Sequence, residues 1–383
     1  MKINISIRGR FHGFNLAQGL NERGLLGAIF SSYPQYFLRR YGLPDNAIIN
    51  QPIFEVVERA LQKFPSLRAN NNFLSTLVPS AFDNYVANHL NSNFDILIAW
   101  SSFAKNSLLK AKKLNKVACL ERGSTHIQWQ TEKLKLEYGK FGVNFNKTNP
   151  AIIERELIEY QIADYICVPT NFVKSTFLDY GVPSEKLLVN PYGVDKKQFS
   201  YRPNKNPNKF IIMFCGGITF RKGAHYLVRA FSKLNLPDAE LWLVGSLDPE
   251  FANIFRNELS GKNIYFKGPF KQDDLSAIYN QCDIFCLPSL EEGQAMVLHQ
   301  AMSSGLPLIA TAESGAGDLI KSNGYLVRSR SEDDLAAHLE YLYKNPVVVS
   351  EMSKKSLSQA QSDYSWDNYV DRAVGIYKTI LSQ

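Results

Sequence analysis

The sequence predicts an α/β protein of two domains, each built on a parallel sheet. Three observations carry the prediction. Short apolar runs alternate with longer helical stretches along the chain, the rhythm of repeated strand–helix units. That rhythm breaks at residues 200–209, SYRPNKNPNK, a polar stretch with prolines, and restarts at the apolar run Phe210–Cys215. At 383 residues the chain is long enough to bury two cores of ordinary size.

Composition narrows the class. With 45% hydrophobic and 21% charged residues the chain reads as globular, and no apolar run approaches the roughly 18–20 residues that span a bilayer. The chain starts as an alternating strand, MKINISI, without a signal-peptide core, so a cytoplasmic protein is expected. Its five cysteines are odd in number, and most lie in apolar runs. Cys282 and Cys286 have no second pair to complete a zinc site, so buried reduced thiols are expected and a metal is not.

The formal charge of +7 is uneven. Residues 1–190 hold 22 Lys and Arg against 15 Asp and Glu, whereas residues 191–383 hold 21 of each. The basic half points to an anionic neighbour: a phospholipid surface, a phosphorylated acceptor or a nucleic acid. Lys105, Lys110, Lys112, Lys113 and Lys116 lie on or beside the helical stretch Ala104–Leu114. Such a run is ordinarily a solvated helix face, and a membrane-surface patch is the alternative. Nucleic acid is disfavoured, because no pattern of stacking aromatics accompanies the lysines.

Taken in order, the first strand is Ile3–Ile7, followed by the loop RGRFHG and a helix from about Phe14 to Arg23. Gly9 and Gly13 would let backbone amides approach a ligand at that helix N-terminus, although the loop is not a GxGxxG fingerprint. A short apolar run to Phe30 is the next strand. Residues 36–93 read as helical, with Arg39 and Arg40 among Tyr36, Phe37 and Tyr41, and with Phe64, Leu67 and Arg68 further on. Strands Ile96–Trp100 and Val117–Glu121 follow, the second opening into RGSTHIQW. His126, just past a strand end on a small-residue loop, is a candidate ligand or catalytic group. Residues 130–160 are polar and helical, expected at the rim. Ala163–Val168 is a strand, and Asn171 is placed as the cap of the next helix.

In the second half, the loop Gly216–Gly223, GGITFRKG, joins the strand Phe210–Cys215 to the helix Ala224–Lys233. Two glycines, Arg221 and Lys222 at a helix N-terminus suit a diphosphate, with amides for the oxygens and cations for the charge. Strands Glu240–Val244 and Ile264–Phe266 follow. The stretch Cys286–Thr311 then gives a strand end, Glu291–Glu292–Gly293, a helix Ala295–Met302 and the strand Leu308–Thr311. Acids just past a strand's carboxyl end lie where a parallel α/β sheet keeps its ligands. Tyr325–Val327 is a strand, helices fill residues 331–360, and a last helix covers about 366–381.

Several motifs together resemble family 4 of the glycosyltransferases, retaining enzymes with two Rossmann-like domains facing across a cleft, the GT-B class. Asn190-Pro-Tyr-Gly-Val-Asp195 with Phe199 looks like that family's interdomain segment, Gly216–Gly223 like its phosphate loop, and Glu292 to Gln300 like its E-x7-E motif. Tyr364-Ser-Trp366 with Tyr369 looks like the start of a C-terminal helix that crosses back to the N-terminal domain. The first half matches more loosely, through Gly13, His126 and ADYICVPTNFVKSTF. The resemblance implies residues 1–190 plus 366–383 as the acceptor-side domain and 191–365 as the nucleotide-sugar donor domain.

It also implies roles. Glu292 would contact the donor sugar, the amides of Gly293, Gln294, Ala295 and Met296 would grip sugar and phosphate, and Arg221 and Lys222 would neutralise the leaving diphosphate. His126 would lie against the transferred sugar, Gly13 and Gly216 by the phosphates, and Gly268 by the base. Two positions depart from the family pattern. The second glutamate, a ribose ligand, is Gln300 here, and the arginine of the phosphate loop is Gly217. The implied reaction is transfer with retention from a nucleotide-diphosphate sugar to a glycan or lipid-linked hydroxyl, with no metal and no cofactor. By the same analogy it belongs to cell-surface polysaccharide or lipopolysaccharide assembly, in the cytoplasm or peripheral on the inner face of the membrane. A non-catalytic sugar-nucleotide-binding partner and a GT-B epimerase are the alternatives.

Overall fold

The structure, a computed structural model, describes residues 1–9, 12–62, 72–145 and 148–382. Phe64, Leu67 and Arg68, and two residues of the first glycine loop, lie outside the described residues.

Two sheets form, and every strand pair in both is parallel. The first holds β1 (Ile3–Ile7), β2 (Leu26–Ser31), β3 (Ile48–Asn50), β4 (Ile96–Trp100), β5 (Val117–Glu121), β6 (Tyr165–Val168) and β7 (Leu187–Val189), in the order β3-β2-β1-β4-β5-β6-β7. The second holds β8 (Phe210–Cys215), β9 (Ala239–Val244), β10 (Ile264–Gly268), β11 (Ile284–Leu287), β12 (Leu308–Thr311) and β13 (Gly324–Val327), in the order β10-β9-β8-β11-β12-β13. β1, β4, β8 and β11 are buried along nearly their whole length, which is why they read as continuous apolar runs and do not alternate. Each sheet reverses its strand order once, between β1 and β4 and between β8 and β11. Those reversals leave a crevice past the strand ends, the usual ligand position in open α/β sheets.

The expected α/β architecture with two Rossmann-like domains is therefore present, and so is the returning helix. Trp366–Leu381 starts at Ser365, whose side chain accepts from the Asn368 amide, and buries Tyr369, Val370, Ala373, Tyr377 and Ile380 in the first domain's core. Arg23, at the end of the first helix, pairs with its Asp371 at 2.7 Å. The two chain crossings between the domains run side by side: the Val194 amide donates to the Tyr364 carbonyl at 2.9 Å. A Cβ on Gly193 would stand 2.6 Å from the Ser365 carbonyl, so only glycine allows this approach.

Four local expectations change. β3 lies inside the stretch 36–93 read as helical; three residues are too few to show a strand period. Thr170, not Asn171, caps the helix Asn171–Leu178, its hydroxyl accepting from the Val173 amide. The helix read as Ala295–Met302 begins at Met296 and ends at Ser303. The largest change concerns residues 130–160. The helix Ile127–Gly139 does not end at a rim: Tyr138 and Val143 join the core of the second domain, with Phe141 and Phe145 packed on it. Glu137 is fully buried there, accepting from His225 Nε2 at 3.0 Å, the Tyr226 hydroxyl at 2.6 Å and Arg330 Nε at 2.8 Å. Burial alone would raise this carboxyl's pKa, but those donors and Lys140 hold it far below the usual range. A polar sequence hid this burial because its main partners lie 88 to 193 residues further along the chain.

Candidate active site

The loops that leave β8 and β11 emerge side by side at the second domain's strand-order reversal. The Leu290 amide donates to the Arg221 carbonyl at 2.8 Å, tying the glycine loop to the acidic loop through the backbone. Gly216 (φ 140°) turns the chain off β8, and Gly223 (φ 64°) caps the helix Ala224–Ser232 in a left-handed conformation closed to most residues. Between them, Arg221 and Lys222 face the acids. Arg221 Nε reaches Glu291 Oε2 at 2.8 Å and its Nη2 reaches Glu292 Oε2 at 3.2 Å, while Lys222 Nζ pairs with the other oxygen of Glu292. Two cations and two carboxylates thus meet in one crevice.

The neighbouring acids differ in surroundings. The Glu292 side chain keeps some exposure, whereas that of Glu291 has none. Glu291 Oε1 accepts from the Ser124 hydroxyl at 2.5 Å, the Thr125 hydroxyl at 2.7 Å and the Thr125 amide at 3.3 Å. Its Oε2 accepts from Gln130 Nε2 at 3.0 Å as well as from Arg221. Burial works to raise the Glu291 pKa, but the Arg221 charge and the Ser124 and Thr125 hydroxyls outweigh it and bring it down to about 2. For Arg221, burial works to lower the pKa and the two carboxylates raise it. Both groups are charged at neutral pH.

Other expected site residues fall nearby. Gly293 lies against the first domain: a Cβ there would collide with the Gly123 carbonyl oxygen, and its own carbonyl accepts from the Thr170 hydroxyl at 3.1 Å. Gln294 is buried, its Oε1 accepting from the Tyr192 amide at 2.6 Å, which ties the acidic loop to the interdomain crossing. Ala295 departs from the expectation that its amide grips a ligand, because that amide already donates to the Ser314 carbonyl at 3.0 Å. Met296 opens the helix that carries Gln300, whose Oε1 accepts from the Tyr279 hydroxyl at 3.1 Å. Gly217 lies on the loop after β8, beside Thr219. Gly268 ends β10 with φ 72° and open space on its Cβ side.

Two expected site residues also serve packing. His126 is buried, stacked on Tyr180 at 4.5 Å and packed against Tyr160 and Phe177. Burial, with Arg122 adding repulsion, lowers its pKa to about 4, so it is a neutral core histidine. Its backbone amide, donating to the Thr176 hydroxyl at 3.0 Å, anchors the loop that supplies Ser124 and Thr125. Gly13 is buried in the first helix, where a Cβ would strike the Ile7 side chain and stand 2.7 Å from Trp100, so its smallness serves helix–strand packing.

Sequence reading missed Ser124, Thr125 and Gln130 as partners of an acid 161 to 167 residues away. The Glu291–Glu292 doublet was the one available signal. Also unread was His12, whose Nε2 lies 3.5 Å from Glu121 at the end of β5. Among the described residues no three His, Cys, Asp or Glu converge as a metal-binding group, and no helix is long and apolar enough to cross a membrane.

Known proteins share this fold. Residues 195–362, which include both crevice loops, match the family "Glycosyl transferases group 1". The chain is 25% identical over 233 residues to the MMP alpha-(1->4)-mannosyltransferase of Mycolicibacterium hassiacum, covering 58% of this chain and 56% of that one. The match thus spans little more than half of that relative's length. Over its whole length the fold is similar to Anabaena HepE in complex with UDP and glucose, at a TM-score of 0.68 and 14% identity, covering 100% of each chain. It is likewise similar to WaaG, a glycosyltransferase involved in lipopolysaccharide biosynthesis, at a TM-score of 0.67 and 14% identity, covering 97% of this chain and 98% of that one. The chain therefore has a two-sheet α/β fold similar to that of GT-B proteins, and its residues 195–362 match the glycosyl transferases group 1 family.

Proposed function

We propose that this protein is a retaining, family 4 glycosyltransferase that moves a sugar from a nucleotide-diphosphate donor to a hydroxyl of a glycan or lipid-linked acceptor. The observation that carries the reading is the meeting of Arg221, Lys222 and Glu292 in one crevice at the strand-order reversal, opposite loops of the first domain. There the two cations and the N-terminus of the helix Ala224–Ser232 stabilise the charge that grows on a departing diphosphate. Glu292, released from Lys222 as phosphate takes its place, holds the donor sugar's hydroxyls. Attack comes from the face the leaving group vacates, with a donor phosphate oxygen taking the acceptor's proton, so no protein base is needed and no metal is used. HepE, with its bound UDP, supports the nucleotide-sugar class. The likeness to WaaG, itself involved in lipopolysaccharide biosynthesis, supports a place in cell-surface polysaccharide or lipopolysaccharide assembly.

The test is a panel of nucleotide sugars and acceptors, with and without a chelator, read by nucleoside diphosphate release and by the anomeric configuration of the product. Release that survives chelation, with retained configuration, and that falls roughly 10²- to 10³-fold in Glu292→Ala is the expected result. An inverted product, or full release from Glu292→Ala, overturns the mechanism. Gln300 favours a second reading, a partner that binds sugar nucleotide without turnover. In that case the panel shows binding and no release from the unaltered protein.

The basic first half adds a location, peripheral on an anionic membrane face. Lys112 is partly occupied by Asp164 at 2.5 Å, which leaves Lys105, Lys110, Lys113 and Lys116 as the proposed contacts. Co-sedimentation with anionic vesicles that survives their neutralisation counts against this.

A further inference from the structure

Glu291 stands next to the proposed donor acid, yet its surroundings belong to both domains. Four of its five hydrogen bonds come from the first domain, through the Ser124 hydroxyl, the Thr125 hydroxyl and amide, and Gln130 Nε2. The fifth comes from Arg221 of its own domain. A fully buried carboxylate is tolerated only when it is paired and hydrogen-bonded. Here those partners exist together only while the two domains touch. Separating them strips the carboxylate of the four first-domain donors at once.

The same carboxylate also sets Arg221. Holding Nε through Oε2 fixes the plane of the guanidinium and turns its Nη2 toward Glu292 and the crevice. Behind Gln130 the chain of contacts continues: Gln130 Oε1 accepts from Arg122 at 3.0 Å, and Arg122 pairs with buried Glu156 at 3.1 Å. Gln130, which bridges Arg122 and Glu291, is thereby held from the first domain's interior. Close fit at the neighbouring residue points the same way, since Gly293 leaves no room for a side chain against Gly123.

We infer that Glu291 is a positioning residue that couples closure of the two domains to the placement of Arg221 for transfer. It touches neither sugar nor phosphate. Closed, it fills the Ser124–Thr125–Gln130 pocket and presents Arg221 to the leaving diphosphate; open, it loses that pocket, and the Glu291–Arg221 pair is no longer fixed from the first domain. The inference rests on the function proposed above, and the experiment separates the two.

Three proteins are compared: the unaltered chain, Glu291→Gln, and the double variant Ser124→Ala with Thr125→Val. Turnover, affinity for a nucleoside diphosphate (UDP as the probe) and ligand-free small-angle scattering are measured on each. Glu291→Gln keeps the shape and removes the charge that holds Arg221. Turnover is expected to fall roughly 10- to 100-fold, the effect of losing charge-assisted hydrogen bonds. UDP affinity is expected to stay level or tighten, because a negative charge leaves the phosphate site. The double variant removes first-domain donors without altering site charge; it is expected to lose turnover in the same direction at unchanged UDP affinity. Both variants should scatter as more open particles.

UDP affinity that weakens in step with turnover in Glu291→Gln would make Glu291 a direct ligand and overturn the inference. So would full turnover with only a lowered melting temperature, the mark of a merely structural acid. Should Glu291→Gln not fold, the double variant decides by the same readings. If the unaltered protein releases no nucleoside diphosphate from any donor, the functional reading fails. Scattering then judges the latch alone: opening of the double variant upholds it, and identical curves overturn it.

Discussion

The two sheets each provide a crevice at their strand-order reversal, and the chain fills the two differently. Past β1 and β4 the first crevice is packed with rings: His12 lies 5.1 Å from Trp100 and 4.2 Å from Tyr192, with Tyr369 of the returning helix against its edge. Past β8 and β11 the second holds Arg221, Lys222, Glu291 and Glu292. The topology of both positions suits a ligand. Side chains decide that one has become an aromatic core and the other a charged site. The comparison teaches that a ligand position in a fold is an opportunity, and that the chemistry must be read residue by residue.

The strongest way to break this contrast is to empty each crevice in turn. Arg221→Ala with Lys222→Ala should lower donor turnover on the order of 10³-fold. His12→Ala should stay below the roughly 10²-fold loss that marks removal of a general acid or base. Equal losses in a steady-state assay would erase the distinction.

Removing Glu137 asks how far the first half frames the charged crevice. Glu137→Ala leaves His225, Tyr226 and Arg330 without their shared acceptor, and should destabilise the fold by about 4 kcal/mol in denaturant titration. A change under about 1 kcal/mol would mean that the Tyr138–Phe145 tip docks by its apolar rings alone.

Acid sharpens the contrast between charged and neutral buried groups. An unfolded His126 binds its proton near pH 6.5, whereas the folded one waits until about pH 4. The unfolded state therefore takes up the proton first as pH falls. Stability is full above about pH 6.5 and is lost progressively down to about pH 4, by up to about 3 kcal/mol. Buried His299, lowered to about 3 by burial and then Arg372, adds loss in the same direction. His126→Phe should flatten the pH 4 to 6.5 slope of melting temperature without abolishing it, and an unchanged slope would show that His126 is not buried neutral.

Gly13→Ala forces a methyl against Ile7 and Trp100 and should cost about 2 kcal/mol in thermal denaturation. Little cost combined with a large loss of donor binding would return Gly13 to a phosphate-contacting role. The smallest effect is expected from Gln300→Glu, which keeps the acceptor for Tyr279 and adds charge. It should tighten nucleoside diphosphate binding by about fivefold in calorimetry.

Much of the fold is legible in the order of the amino acids. Buried parallel strands are continuous apolar runs, and glycines and prolines mark their ends, so β1, β4, β5, β8, β11 and β12 stand out in the sequence. β3 and the capping of the helix Asn171–Leu178 do not, being too short or too local for a period to form. At the site, Arg221, Lys222 and Glu292 are readable because each lies within a few residues of a strand end and carries a charge that a diphosphate or sugar hydroxyl needs. His126 is harder to read, since a polar residue after a strand gives no sign along the chain of the ring, Tyr180, that it stacks on.

The sequence by itself determined the local framework: which segments are strands, where loops carry cations and acids, and that the chain builds two units. Tertiary structure alone decided what those groups face. Glu291 and Glu292 are adjacent and chemically identical, and only the arrival of Ser124, Thr125 and Gln130 from the other domain makes one a buried latch and leaves the other at the crevice. Glu137 shows the same cause, a carboxylate in a polar helix whose principal donors come from the opposite domain. Periodicity and spacing record neighbours along the chain. The energy of a buried charge is set by neighbours in space.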